Sequence, residues 1–490
     1  QPKHVNNRVG LIYVFNLIVG TGALTLPAAF ARAGWGLSTI SLVFLAFMSF
    51  MNATYVIETM ACANAVYKWK RLQAIKSDSV TDDNIDFYKS GPIACVKARR
   101  GSSQAGHSAN VCLAVSQSER VELGEMANLF LNKGGRTMFY CILCVYLYGD
   151  LSIYTAAVAK SVMDVVCSPV PLNLTDQSEL DSLPCFNTSS PDPHAYSRLD
   201  FYHASLLTFV AVMGPFVFFN VQKTKYLQLF TSGMRWLAFT IMISLAIHLL
   251  IGRGPQGHPP AFDVTGMPTL FGACVYSFMC HHSLPALISP IRGKNRLGLH
   301  LALDYVLISI FYLLLAFTGA FAFAQLSDLY TLNFVPTDNE NIVLKIVDYF
   351  LALFPVFTLS TSFPIIAITL RNNLQSLFLD MTRLESYNFL LRKVVFPIVA
   401  IVPPVLLTYF LEDISVLIEF TGSYAGTGIQ YLMPTFLVVS ARRHCMNLLG
   451  LGVANKYKSP FSHVAWAIFV LLWSIVCVIL VSVNIFQKKS

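Results

Sequence analysis

The sequence is dominated by eleven apolar runs that are separated by polar connections. An α-helix of about 20 apolar residues crosses a hydrocarbon core roughly 30 Å thick. Of the 490 residues, 55% are hydrophobic and 12% are charged, whereas soluble domains carry about 25% charged residues. We therefore predict an all-α integral membrane protein. The predicted spans cover residues 9–33, 37–64, 137–166, 200–221, 229–251, 267–289, 300–324, 343–370, 393–411, 415–439 and 461–486.

The formal net charge of +8 comes largely from Lys and Arg side chains in the connections between the runs. There they orient the chain and contact anionic lipids, so we expect no nucleic-acid partner. With the connection 167–199 on the lumenal side, most cations fall in cytosolic connections, as the positive-inside rule requires. The N-terminus is then cytosolic and the C-terminus lumenal or extracellular. The first run predicts a span and not a cleavable signal peptide.

Two cysteines outside the apolar runs, Cys167 and Cys185, share a connection with the sequons at Asn173 and Asn187. Glycosylation and disulfides both belong to oxidising compartments, so we predict a glycoprotein with a Cys167–Cys185 disulfide. The pair Cys141 and Cys144 lacks the second ligand pair of a zinc site and lies within a span. We therefore expect no metal site there.

The long polar connection 65–136 is predicted to be cytosolic and largely disordered. Its segment 119–132 has apolar residues at helical spacing, which indicates an amphipathic helix. Such a helix either lies on the inner membrane face or docks a cytosolic regulator. The predicted divisions are 1–64 (spans 1 and 2), 65–136, 137–251 (spans 3 to 5), 252–439 (spans 6 to 10) and 440–490 (a cytosolic connection and span 11).

The first span contains the helix breakers Gly20-Thr21-Gly22 and Pro27. A break frees backbone N–H and C=O groups, and a membrane tolerates it only where protein buries it or where it lines a cavity. The break therefore suggests a binding site. Taken alone, the two glycines also fit a close helix crossing, since small residues let backbones approach.

The sixth span is interrupted in the same way, by His281-His282-Ser283 followed by Pro285. Paired interruptions in corresponding spans are typical of inverted-repeat transporters, whose site lies at the bilayer midplane. Spans 1–5 and 6–10 would form the two repeats, with span 11 as an addition. The half-helix after Gly20 would then present N–H groups to a carboxylate.

The residues of the first break resemble the first-helix signature of the amino acid/auxin permease family. The matching residues are Asn16, Gly20, Gly22, Leu24, Leu26, Pro27, Ala29 and Phe30. The segments "VYLYGD", "VQKTKYLQ", "VYSFMCHHSLP" and "YAGTGIQY" are similar to an orphan subgroup of that family. The similarity covers nearly the whole chain.

The resemblance implies an eleven-span LeuT-type fold with a 5+5 inverted repeat and broken helices 1 and 6. It also implies secondary active transport of amino acids driven by sodium or protons, and a small or medium neutral amino acid is the default substrate. The orphan subgroup itself does not fix a substrate. The substrate site implied by this fold comprises Asn16, Gly20, Thr21, Gly22, Ala23, Tyr276, Phe278 and His281.

The resemblance to sodium-coupled relatives implies a cation site between the first break and span 8. It would use the carbonyl of Val19 and the hydroxyls of Ser360, Thr361 and Ser362, because hard cations prefer oxygen ligands. The alternative is structural, since hydroxyls in membrane helices often bond the carbonyl one turn back.

Proton coupling needs a titratable group in the pathway. Asp150 in span 3 is the first candidate, followed by Glu58, His281 and His282, and each also fits a buried structural role. Arg235 in span 5 either supplies a fixed positive charge in place of sodium or extends to the cytosolic face.

A non-transporting amino-acid sensor, which signals through the cytosolic connection, is the alternative function. An enzyme is disfavoured because His281-His282 is the only adjacent histidine pair, and no phosphate-binding glycine-lysine motif indicates ATP-driven transport. We expect no cofactor besides the coupling ion, and partners limited to an amino acid, lipids and a possible cytosolic regulator. A lysosomal or endosomal membrane and the plasma membrane both remain open.

Overall fold

The computed structural model describes residues 18–78, 85–90, 93–98, 109–112, 121–168, 183–186, 196–218, 225–289, 291, 296–335, 341–379, 387–449 and 455–489. Asn16 and the sequons at Asn173 and Asn187 lie outside these ranges and stay predictions. Among the described residues, eight helical segments are long and apolar enough to cross a membrane. They match predicted spans 2 to 5, 7 to 9 and 11, which confirms a multi-pass helical membrane protein.

The helices are numbered in chain order. They are α1 (Thr21–Ala33), α2 (Trp35–Asp78), α3 (Leu123–Phe130), α4 (Lys133–Val166), α5 (Arg198–Met213), α6 (Lys225–Arg253), α7 (Met267–Ser277), α8 (Leu284–Ile288), α9 (Leu297–Ala322), α10 (Ile342–Ala352), α11 (Phe354–Phe378), α12 (Phe396–Phe410), α13 (Ile414–Phe420), α14 (Met433–Leu449) and α15 (Val464–Lys489). Short 3-10 turns cover Gly214–Phe218, Val264–Gly266 and Tyr330–Phe334, and a π-helical turn at Leu391–Val395 precedes α12.

The other three predicted spans are interrupted or begin outside the described residues. In span 1, α1 starts after a bend at Val19 and Gly20. Span 6 is divided into α7 and α8 by residues 278–283. In span 10, two π-helical segments, Thr421–Gly426 and Gly428–Leu432, separate α13 from α14. The count of eleven spans therefore stays a prediction.

The structure corrects the interpretation of the prolines. Pro27 lies inside α1, which continues through it, so the interruption is at Gly20 and not at the proline. Pro285 occupies the first turn of α8, where the missing N–H group would have no intrahelical partner. The first break thus lies at the bend formed by Val19 and Gly20, and proline begins the helix after the second.

The principal helix pairs are α4 with α11, α2 with α14, α4 with α5, α1 with α7 and α6 with α9. Small residues let several of these backbones come close. A methyl group placed on Gly422, in the first π-helical segment, would lie 2.1 Å from the carbonyl oxygen of Gly272 in α7. Span 10 is therefore pressed against α7 beside the second break.

The connection between α2 and α4 contains an antiparallel sheet of three strands, β1 (Ile85–Ser90), β2 (Ile93–Ala98) and β3 (Ala109–Cys112). Its register pairs Ile85 with Ala98 and Cys95 with Cys112. Low hydrophobicity alone predicts disorder in this connection, and for the connection as a whole that stays a prediction. Composition does not show which short segments pair with one another.

The predicted amphipathic segment contains α3, which is shorter than the sequence pattern indicates. A capping box between Glu122 and Glu125 fixes its start. Leu123, Met126 and Ala127 are buried, and the helix packs against α2, α4 and α14. It therefore covers the ends of these spans, and its role as a docking helix stays a prediction.

The predicted disulfide between Cys167 and Cys185 is present, with its Cα atoms 4.5 Å apart. An ion pair between Arg198 and Asp164 and a backbone bridge between Pro184 and Ser197 hold the same region to the ends of α4 and α5. The connection between spans 3 and 4 is thus fastened to the helices at both of its ends.

Candidate functional site

The two interrupted helices meet at their breaks. A methyl group on Gly22 would lie 2.6 Å from the Cα atom of Ser277, the last residue of α7. Glycine is needed there because any side chain would collide with the α7 backbone. A methyl group on Gly20 would instead have the Ile18 carbonyl oxygen, 3.9 Å away, as its nearest contact outside the adjacent residues. Gly22 therefore serves helix contact, whereas Gly20 lies at the bend.

Tyr312 of α9 connects the two breaks. Its buried hydroxyl lies 3.0 Å from the carbonyl oxygen of Ile18 and 3.0 Å from that of Ser277. Both carbonyls belong to turns that the breaks leave incomplete. A tyrosine hydroxyl has one proton to donate, so it satisfies one carbonyl at a time. The other carbonyl keeps acceptor capacity for a cation or an ammonium group.

The non-helical segment after α7 is held by side chains of α2 and α9. Ser49 donates a hydrogen bond of 3.2 Å to the carbonyl oxygen of Phe278, and its own carbonyl lies 3.1 Å from Nε2 of His281. The hydroxyl of Tyr305 lies 3.0 Å from Oγ of Ser49 and 3.2 Å from Sγ of Cys280. These contacts supply the freed backbone with partners that a hydrocarbon cannot offer.

His281 is fully buried, and its contact with Ser49 assigns its tautomer. A carbonyl oxygen only accepts, so Nε2 carries the proton. Within the described ranges, Nδ1 of His281 and Nδ1 of His282 make no hydrogen bond. The His282 ring faces Tyr146 with 5.6 Å between ring centroids. Both histidines therefore line the second break.

Asp150 of α4 is buried and joins span 3 to the second break. Tyr276, in the last turn of α7, donates a hydrogen bond of 2.5 Å to Oδ1 of Asp150. Tyr146 and Tyr154 lie one turn to either side on α4, close enough to interact electrostatically with the carboxyl group. Tyr154 also lies beside Thr21 at the start of α1. The structure thus brings the Asp150 carboxyl group to the second break.

Arg235 of α6 lies within electrostatic range of Tyr154 and Tyr312. Both tyrosines contact residues of the first break, Thr21 and Ile18 respectively. Of the two interpretations of Arg235, the structure favours the fixed charge near the site over a side chain that extends to the cytosolic face. A cation at this position contributes to the potential that a bound ion or carboxylate meets.

Glu58 lies apart from this cluster, in an ion pair. Its carboxylate accepts two hydrogen bonds from Arg442, of 2.8 and 2.7 Å, and one of 2.9 Å from the backbone N–H of Ser459. Arg442 also donates to the carbonyl of Ser462. The pair therefore joins α2, α14 and the segment before α15, which favours the structural interpretation of Glu58.

The predicted sodium ligands on α11 bond within their own helix. Ser360 donates to the carbonyl of Val356 over 2.5 Å, and Thr361 and Ser362 donate to that of Thr358 over 2.8 and 3.2 Å. This is the structural alternative for such residues. The oxygen atoms keep lone pairs, so the cation site with Val19 stays a prediction.

An ion cluster lies at the predicted lumenal ends of four elements. Asp328 pairs with Arg32 of α1 at 2.8 Å and with Lys160 of α4 at 3.7 Å, and it accepts a 2.8 Å hydrogen bond from Ser415 of α13. Burial alone would raise the pKa of Asp328. The two cations and the hydrogen bonds from Ser415 and Arg32 outweigh burial and hold that pKa below its usual range.

Several of these residues are absent from the sequence prediction, namely Ser49, Tyr305, Tyr312, Arg32 and Asp328. Tyr305 and Tyr312 are seven residues apart in a predominantly apolar span, a spacing that places two hydroxyls on one helix face. This spacing indicates that one face of α9 lies next to backbone groups that need hydrogen-bond partners. The partners of Arg32 and Ser49 come from distant segments, and their spacing in the sequence gives no comparable signal.

The comparisons with known proteins identify the family of the chain. The family model described as "Transmembrane amino acid transporter protein" matches residues 5–71 and 106–483. The chain therefore belongs to this family of membrane transporters, as opposed to a family of enzymes.

Its relatives are those of the orphan subgroup that the motifs resemble. "Transmembrane protein 104 homolog" of Drosophila melanogaster is 54% identical over 98% of this chain and 97% of its own length. "Transmembrane protein 104" of Homo sapiens is 48% identical over the same shares. The homolog of Dictyostelium discoideum is 33% identical over 97% of this chain and 96% of its own length. The resemblance inferred from the motifs is thus confirmed.

Proposed function

We propose that the chain is a secondary active transporter that carries a small or medium neutral amino acid together with protons. The observation that carries the proposal is the hydrogen bond from Tyr276 to Asp150, which places a carboxyl group where the two interrupted helices meet. Membership of an amino acid transporter family supports the substrate class.

The packing of the helices supports an inverted repeat. In such a repeat, span 2 corresponds to span 7, and span 10 corresponds to span 5. The pair α2–α14, from spans 2 and 10, therefore corresponds to the pair α9–α6, from spans 7 and 5. Both pairs are present. The pair α1–α7 joins the equivalent spans 1 and 6, and the pair α4–α11 joins the equivalent spans 3 and 8. Each of these pairs is therefore its own counterpart under exchange of the two halves. These four pairs are what a pseudo-two-fold axis through the midplane requires.

The substrate carboxylate binds the first N–H groups of α1 in this proposal. Gly20, which precedes α1, supplies no side-chain cap to those groups. The positive end of the helix dipole at Thr21 and Gly22 attracts an anion. The amino group is received by carbonyl oxygens near Tyr312, and the side chain lies toward Tyr276 and Phe278.

Asp150 couples proton binding to the position of α7. When ionised, its carboxylate accepts the Tyr276 hydrogen bond and holds α7 against α4. Protonation removes the charge that strengthens this bond, so α7 is released more easily. Proton release on the other side of the membrane restores the bond. This coupling favours an acidic organelle, and an endolysosomal membrane is the proposed location.

Uptake into proteoliposomes tests the proposal. Radiolabelled amino acids are offered under an inward proton gradient and, separately, a sodium gradient. Accumulation that requires the proton gradient and is lost in Asp150→Asn supports the proposal. Accumulation that requires sodium would transfer the coupling role to Val19, Ser360 and Ser362. No uptake under either gradient, with an amino acid still raising the melting temperature, would favour the sensor.

A further inference from the structure

Two reduced cysteines from distant parts of the chain meet at the predicted cytosolic ends of α2 and α14. The Sγ atom of Cys445 lies 3.9 Å from the carbonyl oxygen of Cys62, 383 residues away in the sequence. The two thiols lie close enough to influence each other's ionisation. Neither is in a disulfide. Their helices form one of the main pairs in the interior, so the contact is held by packing on both sides.

The two thiols differ in exposure and in reactivity. Cys445 is half-buried, whereas Cys62 is 6% exposed and lies within 3.9 Å of the Asn455 side-chain amide. The neighbouring Cys62 thiol lowers the pKa of Cys445, although burial and the Glu58 carboxylate act in the opposite direction. The thiolate is the reactive form of cysteine. Cys445 is therefore the thiol that an oxidant reaches. Cys62 is its neighbour and can attack the oxidised Cys445 sulfur to form a disulfide.

We propose that Cys62 and Cys445 form a reversible disulfide when hydrogen peroxide reaches the cytosolic face. The Cys445 thiolate attacks one peroxide oxygen, the O–O bond breaks, and the departing hydroxide takes up a proton to leave as water. Cys445 is then a sulfenic acid. The Cys62 sulfur attacks that sulfur, its proton goes to the departing hydroxide, and a second water leaves. Two thiols are oxidised by two electrons, one peroxide is reduced to two waters, and a dithiol reductant reverses the reaction.

The disulfide would fix the first half of the chain to the second. α2 belongs to the first proposed repeat and α14 to the second, and alternating access needs the two to move relative to each other. The ion pair between Glu58 and Arg442 joins the same two helices one turn away. Thermal motion can break and re-form this ion pair, whereas it cannot break a disulfide, which opens only on reduction. Oxidation therefore stops transport, a consequence that rests on the proposed function.

The bond is tested without any transport measurement. Full-length protein in membranes is treated with hydrogen peroxide, free thiols are alkylated, and the digest is analysed by mass spectrometry. We expect a linked pair of peptides that contain Cys62 and Cys445, lost on reduction and missing from Cys62→Ser and from Cys445→Ser. Cys141→Ser is the matched control, because Cys141 is an exposed free thiol of α4 and its loss leaves the linked pair intact.

Uptake by the same samples tests the consequence. We expect activity to fall in proportion to the linked fraction, to return on reduction and to resist peroxide in Cys445→Ser. The proposed bond would be overturned if alkylation after peroxide treatment of the folded protein labelled both Cys62 and Cys445. Complete linkage with unchanged uptake would overturn the regulatory role. A linked pair in a protein that transports nothing even when reduced would support the bond and contradict the proposed function instead.

Discussion

Tyr276 donates a 2.5 Å hydrogen bond to Asp150, and this bond connects the last turn of α7 to the middle of α4. A neutral donor and an ionised acceptor form a charge-assisted bond, which contributes about 1.5–3 kcal/mol. The bond crosses between span 3 and span 6, so its strength affects the relative position of the two proposed repeats. It also depends on the protonation state of the carboxyl group.

Replacing Asp150 by Asn removes the proton site and keeps the shape of the side chain. We expect Asp150→Asn to bind substrate but to lose the response of uptake to the proton gradient. The measurement is initial uptake rate against external pH in proteoliposomes. Tyr276→Phe is the companion variant. It removes the hydrogen-bond donor that stabilises the ionised carboxylate, so Asp150 is protonated more easily and half-maximal uptake moves to higher pH. An unchanged pH profile in Asp150→Asn would remove Asp150 from the mechanism.

The contact between Gly22 and Ser277 predicts a sharp difference between two glycines. Gly22→Val forces side-chain atoms into the α7 backbone, and we expect uptake to be abolished. Gly20→Ala is the matched control, because its methyl group meets ordinary van der Waals distances. Uptake and amounts of protein in the membrane are measured for both. Normal uptake by Gly22→Val, with normal membrane delivery, would contradict the close approach of α1 and α7.

Breaking the ion pair of Glu58 leaves a buried charge without its partner. The Glu58 side chain is 3% exposed, and loss of one partner from a buried pair costs about 3–5 kcal/mol. We expect Arg442→Gln to lower the melting temperature of the detergent-solubilised protein markedly. Arg443→Gln, at an exposed position next to it, serves as the control and is expected to change little. Equal melting temperatures for the two variants would show that the pair is not stabilising.

The ion cluster at Asp328 predicts a specific dependence on lumenal pH. Its pKa lies below the ordinary value of about 3.9, so the pairing contributes stability above that pH and loses it as the pH falls through the lowered pKa. The stability difference between wild type and Asp328→Asn is therefore constant from neutral pH to about pH 5 and shrinks only at stronger acidity. Thermal unfolding across this range measures it. A difference that disappears near pH 6 would contradict the lowered pKa.

Hydrophobic runs and their interruptions predict much of this fold from sequence. The apolar length of each run identifies the uninterrupted spans, and Gly20 and His281 mark the two broken ones, because hydrocarbon allows no unpaired backbone outside protein. The family follows from motifs around the same residues. Asp150 is predicted as a candidate because a carboxyl group inside a span is costly and needs a reason.

The partners of these residues are not predictable in the same way. Glu58 and Arg442 are 384 residues apart, and no periodicity indicates that α2 and α14 are neighbours. Tyr276 belongs to the predicted substrate site, yet only the packing of α7 on α4 shows that it donates to Asp150. Helix pairing is decided by shape and by small residues over the whole molecule. A single sequence contains that information only indirectly.

The hydroxyl proton of Tyr312 is shared between carbonyl oxygens of the two breaks, those of Ile18 and Ser277. A cation bound to the Ile18 carbonyl would repel the hydroxyl hydrogen toward Ser277, and an ammonium group bound at Ser277 would turn it back. Binding at either carbonyl would thereby set the orientation of one O–H bond. Two backbone carbonyls on different interrupted helices would then be coupled through the rotation of a single hydrogen atom.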